Sequence, residues 1–297
     1  MKILITGGTG LIGSALNSYL KAHDHSTYIV VRKTPQSTNE IQWDPAAGTI
    51  DRTKIDAMDA AVHLAGESIA AGRWTPERKT AILESRVKGT RLLSEALAST
   101  PNPPKTLICA SASGYYGNRG TEVMTEESDP GNGFLSDVCK QWEAAANPAR
   151  EKGIRVVNMR FGIVLSPKGG ALAKMLTPFK LGAGGPIGSG QQYWSWIALD
   201  DVITAIDHAI QMESLKDGVN TVTPNPATNA EFTKVLGCVL MRPAFFPLPS
   251  FGAHVVLGEM ADELLLASCR MQPAKLLATN YVFRYPDLTG ALYHLLK

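Results

Sequence analysis

Residues 3–13 read ILITGGTGLIG, and few folds accommodate that order of residue types. The run ILIT at 3–6 is too short for a helix and suits a buried strand, while Leu11, Ile12, Ala15, Leu16, Tyr19 and Leu20 recur at helical spacing immediately afterwards. Between them the glycines satisfy both GxxGxxG (Gly7, Gly10, Gly13) and GxGxxG (Gly8, Gly10, Gly13). Glycine lets a strand-to-helix turn tighten, lets backbone approach a pyrophosphate, and lets the helix lie close on its strand. The helix start then faces the anion with unpaired N–H groups. A strand, a glycine turn and an amphipathic helix in this order predict a dinucleotide-binding α/β protein.

The end of the second strand discriminates between dinucleotides. An acid there would bind the adenosine ribose diol of NAD, but the chain has Arg32 and Lys33. A guanidinium grips a 2′-phosphate with two parallel hydrogen bonds, whereas a carboxylate repels it. NADP(H) is therefore the expected cofactor, the alternative being a solvated charge pair at a strand end.

Further short apolar runs, TYIVV 27–31, AAVHLA 60–65, TLICAS 106–111 and RVVNMRF 155–161, read as strands separated by helical patterns, which implies a parallel sheet. Thr75-Pro76-Glu77 is a helix start, with a capping hydroxyl, a first-turn proline and an acid near the positive end of the dipole. Past residue 165 the texture turns glycine- and proline-rich, with LGAGGPIGSG at 181–190 and YWSWIALDD at 193–201. The resulting division is a nucleotide-binding domain over 1–165, rejoined by 197–225, and a substrate-binding cap over 166–196 and 226–297.

Charge and cysteine usage narrow the partners. A formal net charge of +2 with interspersed signs leaves no basic stripe for a phosphate backbone, so a small-molecule substrate is expected and nucleic acid is not. Cys109, Cys139, Cys238 and Cys269 have no metal-ligand spacing and read as reduced, packed thiols. No apolar run approaches the roughly 18 residues of a membrane span. No membrane is expected as a partner, and the cytoplasm is the expected compartment, or an organelle matrix if a transit peptide has been removed. Self-association into a homodimer is left open.

Together with HLAGE 63–67, SASGYYG 111–117, MRFG 159–162 and WIALDDV 196–202, these residues resemble the extended short-chain dehydrogenase/reductase superfamily. AGESIAAGRW 65–74, GEMADELLLAS 258–268 and FRYPDL 283–288 are similar to its atypical branch, the bacterial and mitochondrial epimerase family proteins. The resemblance implies a Rossmann doubly wound parallel sheet of about seven strands with a smaller C-terminal α/β cap. It assigns Gly7, Thr9, Gly10, Leu11 and Ile12 to the pyrophosphate loop and Arg32, with Lys33 beside it, to the adenosine phosphate. Leu64, Ala65 and Gly66, followed by Glu67, match the segment under adenine and ribose. Lys140 matches the lysine on the nicotinamide ribose, and Arg160, Phe161 and Gly162 match the strand end beside the nicotinamide.

Three departures from the superfamily pattern all touch the chemistry. Its YxxxK is Ser136-xxx-Lys140 here, the hydroxyl residue four positions before the tyrosine of its VYG is Ala112, and the Asn before its VxGT is Arg86. In YxxxK the ammonium lowers the phenol pKa from one helical turn away. A serine hydroxyl is too basic to be brought into the same range by one cation. Ser136 is thus expected to be a helix-start residue, and the proton relay is expected to have moved to Tyr116 or a bound water, with Ser113 within reach of the substrate through a bulge and Tyr115 and Ser111 as further candidates. Glu67 is read as a base, a substrate anchor or a capping acid. His63 is expected to be a packed strand residue, Asp200 and Asp201 a helix start, and Trp194 and Trp196 core aromatics. His23 and His25 lack further ligands, and no metal is expected. Gln191 and Gln192 follow the glycine loop where a diphosphate-binding arginine would be needed.

Overall fold

The computed structural model describes the backbone of residues 1–297 and every side chain except that of Val256. In chain order the strands are β1 (Lys2–Thr6), β2 (Ser26–Val31), β3 (Glu40–Asp44), β4 (Thr49–Ile50), β5 (Ala60–His63), β6 (Thr106–Ala112), β7 (Val123–Met124), β8 (Arg155–Phe161), β9 (Ile163–Leu165), β10 (Tyr193–Trp194), β11 (Trp196–Ala198), β12 (Asp217–Thr221), β13 (Ala227–Thr228) and β14 (Arg270–Met271). The helices are α1 (Leu11–Ala22), α2 (Pro76–Ala98), α3 (Phe134–Ala144), α4 (Asn147–Glu151), α5 (Gly170–Lys180), α6 (Leu199–Gln211), α7 (Asn229–Leu240), α8 (Ser250–Leu257), α9 (Glu259–Ala261), α10 (Ala274–Ala278) and α11 (Leu288–Leu296). A 3-10 turn spans Ser113–Tyr116 and a π-helical turn spans Asp262–Leu266.

The main sheet has the order β12-β8-β6-β5-β1-β2-β3-β4. Seven strands are parallel, and the two-residue β4 closes one edge antiparallel to β3. Both faces are covered, so the central strands β1, β5, β6 and β8 are buried almost continuously instead of alternating between core and solvent. In β1, Ile3 and Ile5 enter a core with α1 and α6, and Leu4 enters the opposite core with α2 and α4. Each of these fully buried side chains contributes about 2 kcal/mol through loss of apolar surface from water. Two of the main sheet's parallel strands, β3 and β12, were not visible in the sequence. In β3 only Ile41 and Trp43 are buried, and β12 hides the polar Asn220 and Thr221.

Thr75 caps α2 by accepting from the Arg78 amide, and Pro76 occupies the first turn, as the sequence predicts. Residues 199–221 return to the sheet: α6 packs beside α1, and β12 extends the edge at β8. Helices α5, α7 and α11 form a separate apolar core around Leu172, Phe179, Phe232, Leu236 and Leu292. The last third is not purely a cap, since Leu276 and Tyr281 belong to the core of the main sheet. Asp201, fully buried, explains part of this by accepting from the backbone amides of Arg284 and Tyr285 at 2.7 and 3.0 Å. Trp194 and Trp196 are core residues whose indole N–H groups donate to the carbonyls of Leu265 and Asn225. Among the described residues no helix is long and apolar enough to cross a membrane.

Candidate cofactor and substrate site

Strand order reverses at β1: the chain runs outward through β2 and β3, then returns to β5 on the other side of β1. Ligands collect at such switch points, beyond the carboxyl ends of the strands. There the turn after β1 meets the segment after β5. Gly7 has φ +68°, and a Cβ on it would lie 2.8 Å from the Leu64 carbonyl carbon. A Cβ on Gly13 would fall 2.2 Å from the Gly7 carbonyl oxygen, so only glycine allows α1 to approach its strand this closely. Helix α1 begins with no side-chain cap and no acid in its first turn, and Thr9 and Gly10 are exposed. Its first amides are left for an anion.

Thr6 fixes the floor of the crevice. Its hydroxyl accepts from the amides of Leu64 and Ala65 at 3.2 and 3.3 Å and lies 2.7 Å from His63 Nδ1. His63 is fully buried, and burial lowers its pKa to about 4, so the imidazole is neutral. At the end of β2, Arg32 and Lys33 are exposed, and neither forms an ion pair among the described residues. The glycine cradle, the open amides and two free cations together fit a phosphorylated dinucleotide.

Helix α3 carries the Ser136-xxx-Lys140 pair. Ser136 is buried, and its Oγ donates toward the carbonyls of Gly131 and Tyr115 at 2.7 and 3.0 Å. With its one proton so engaged, it ties the helix start to the loop and does not replace the missing phenol. Lys140, half-buried one turn later, pairs with Asp137 Oδ1 at 2.7 Å. Ser113 follows β6, is half-buried, and its hydroxyl makes no hydrogen bond among the described residues.

Tyr116 requires correction. It is fully buried, and its hydroxyl lies 2.7 Å from Asn220 Oδ1, 3.0 Å from the Thr125 carbonyl and 2.9 Å from Arg160 NH1, which donates to it. Burial pushes the phenol well above its ordinary pKa, outweighing the lowering by Arg160. A phenol so enclosed is not placed to relay a proton to a ligand. Arg160 is corrected with it: the position ends a central strand as expected, but the side chain points inward. Its Nε and NH2 donate to the two oxygens of Glu143 at 2.8 and 2.9 Å, and its guanidinium lies 3.4 Å from the Tyr115 ring centroid. Burial alone would lower the guanidinium pKa, yet Glu143 raises it further. Phe161 is a core side chain, and Gly162 is required because a Cβ there would lie 2.4 Å from the Ser195 carbonyl oxygen.

Beyond β5, Glu67 pairs with Arg78 at 3.2 Å, which favours a structural anchor over a free base. Arg86 lies over the Trp142 ring at 4.9 Å and donates from NH1 to the carbonyls of Glu67 and Ile82. It therefore braces the segment after β5 against α2 and α3, where the superfamily uses Asn. Glu143, Asn220 and Glu263 escaped the sequence reading. Only Glu143, one turn beyond Lys140, had any positional signal.

Residues 3–221 match the model of the NAD dependent epimerase/dehydratase family, and residues 248–295 match a domain of unknown function, DUF1731. An epimerase family protein of Mycobacterium bovis, Mb2239, is 42% identical over 290 residues, covering 98% of this chain and 96% of that protein. The human epimerase family protein SDR39U1 is 39% identical over 295 residues, covering 98% of each chain. The crystal structure of human SDR39U1 (isoform 2) with NADPH superimposes with a TM-score of 0.91 at 38% identity, over 99% of both chains.

Proposed function

This chain belongs to the NAD dependent epimerase/dehydratase family, and from that premise we propose that it binds NADP(H) and acts as an oxidoreductase or epimerase on a small carbonyl or alcohol. The observation that carries the proposal is the pairing of a glycine cradle, closed to any Cβ at Gly7 and Gly13, with unpaired Arg32 and Lys33 at the next strand end. The similarity to a human protein crystallised with NADPH supports the same cofactor.

In this reading the amides of Leu11 and Ile12 hold the pyrophosphate, Arg32 and Lys33 the adenosine phosphate, and Lys140 the nicotinamide-side ribose. Bound nicotinamide supplies hydride chemistry. The protein's part is to orient the reacting carbon, exclude water, and manage the proton on the substrate oxygen. In this reading Ser113 holds that oxygen, with Tyr115 beside it. Neither hydroxyl is engaged within the described residues.

A second reading rests on a specific observation: the hydroxyl of Ser136 and the phenol of Tyr116 are both locked into structural hydrogen bonds. A non-catalytic NADPH-binding redox sensor or scaffold would need neither. Calorimetry with NADPH and NADH, on wild type and Arg32→Glu, tests the cofactor. Charge reversal is expected to weaken NADPH by at least about tenfold and to leave NADH bound at least as well as by wild type, since an acid at this strand end suits the unphosphorylated ribose. Equal affinities before and after would refute it. Turnover of any member of a carbonyl panel then selects the enzyme, and tight binding without turnover selects the sensor.

A further inference from the structure

We propose that Glu263 is a positioning residue that caps helix α3 from the C-terminal region and thereby sets Lys140; this rests on the assignment of Lys140 to the cofactor made above. Helix α3 cannot cap itself. Its N-cap position is Gly133, with φ +107° and no side chain, so the first amides of an 11-residue helix lack local acceptors. One carboxylate supplies both. Glu263 Oε1 accepts from the Phe134 amide and Oε2 from the Leu135 amide, each at 2.8 Å, across about 130 residues of sequence. An anion at this end of a helix is also favoured by the macrodipole.

The surroundings are built for that contact. A Cβ at position 133 would lie 2.9 Å from Glu263 Oε1, so glycine there leaves room for the carboxylate. Glu263 lies in the π-helical turn, a distortion that often marks functional segments. The turn is held two residues further on, where the Leu265 carbonyl accepts from Gln192 Nε2 at 3.0 Å and from Trp194 Nε1 at 3.3 Å. A second acid of the same segment, Glu259, pairs with Lys79 on α2 at 2.5 Å, and the Lys79 ammonium lies 5.0 Å from the Phe134 ring centroid. Arg73 donates to the Val255 carbonyl at 2.6 Å. The GEMADELLLAS segment thus places both Glu259 and Glu263 against the nucleotide-binding body, and one of them grips the helix that bears Lys140.

The consequence for Lys140 follows from helix physics. Asp137, its ion partner at 2.7 Å, lies in the first turn of α3. Without Glu263 the amides of Phe134 and Leu135 lose their acceptors, the first turn frays, and the Asp137–Lys140 pair loses its fixed origin. The adenosine half of the site, built on β1, β2 and α1, does not touch α3 through these contacts.

That asymmetry provides the test. Titrate wild type, Glu263→Ala, Glu263→Gln, Lys140→Ala and the Glu263→Ala/Lys140→Ala double variant with NADPH and with adenosine 2′,5′-bisphosphate, which lacks the nicotinamide ribose. In parallel, follow amide exchange over residues 134–140 without ligand. Loss of a cap is expected to weaken NADPH about fivefold to tenfold in Glu263→Ala, with the bisphosphate within about twofold of wild type. Glu263→Gln, keeping one acceptor oxygen, is expected to fall between. Exchange over 134–140 should quicken in Glu263→Ala, and the double variant should bind NADPH no worse than Lys140→Ala alone. Unchanged exchange, equal weakening of both ligands, or additive losses would each overturn the proposal while leaving the cofactor reading intact. If wild type binds neither ligand, the cofactor reading has failed and the proposal falls with it.

Discussion

Protonation of His63 is a sharp test of how the crevice floor is built. The Thr6 hydroxyl accepts from two amides, so its proton points to His63 Nδ1, which must be the bare nitrogen. The ring proton is then on Nε2, which is buried without a partner, with the Trp43 ring edge-on at a centroid distance of 6.0 Å. Adding a second proton would set an N–H against the hydroxyl and bury a cation, and burial depresses the pKa from 6.5 to about 4. The unfolded chain therefore binds more protons than the folded one between these values, and stability falls as pH drops through that window. At about 1.4 kcal/mol per pKa unit, the loss is about 1.4 kcal/mol at pH 5.5 and about 3 kcal/mol by pH 4. The raised carboxyl groups of Glu126 and Asp201, both elevated first by burial, act in the opposite sense, so the wild-type curve alone does not isolate His63. The difference between wild type and His63→Gln does. Denaturant unfolding at half-unit pH steps from 7.5 to about 4.5 should show a less stable but flatter variant. Parallel curves, or a ring-proton NMR titration of His63 in the folded protein with a midpoint near 6, would refute the reasoning.

Two further outcomes follow from the same geometry. Gly13→Ala puts a methyl within 2.2 Å of a backbone oxygen that cannot rotate away, so α1 must lift from its strand; we expect about 1–3 kcal/mol of lost stability and no detectable NADPH binding by calorimetry. Tyr116→Phe removes the hydroxyl between Arg160, Asn220 and Thr125, for an expected loss of about 1–3 kcal/mol in thermal or denaturant unfolding with NADPH affinity unchanged. A collapse of turnover at intact stability would instead return Tyr116 to the chemistry.

The parts of the site that were legible in the sequence are those where one local motif does the whole task. The glycine turn needs no distant partner to be recognised, because positive φ and close approach exclude other residues at Gly7 and Gly13. The exposed position of Arg32 and Lys33 directly after β2 was legible for the same reason, being defined by their place after a strand. Tyr116 and Arg160 misled because their positions, at the ends of β6 and β8, match a site while their side chains turn inward. Nothing local distinguishes an arginine aimed at a ligand from one aimed at Glu143. The strands β3 and β12 were missed because burial on one face, or burial of hydrogen-bonded polar residues, leaves no apolar run to count.

The sequence by itself determined the sheet-and-helix alternation, the cradle after β1 and the charge at the end of β2, since each depends on residues within one or two turns of chain. Only the tertiary structure decided which hydroxyls remain free, where each buried charge finds its partner, and that a carboxylate from the last 40 residues ends up on α3. Hydrogen bonds and ion pairs act over a few ångströms in space and carry no memory of sequence separation, so a residue's chemistry there is set by neighbours that folding brings from elsewhere.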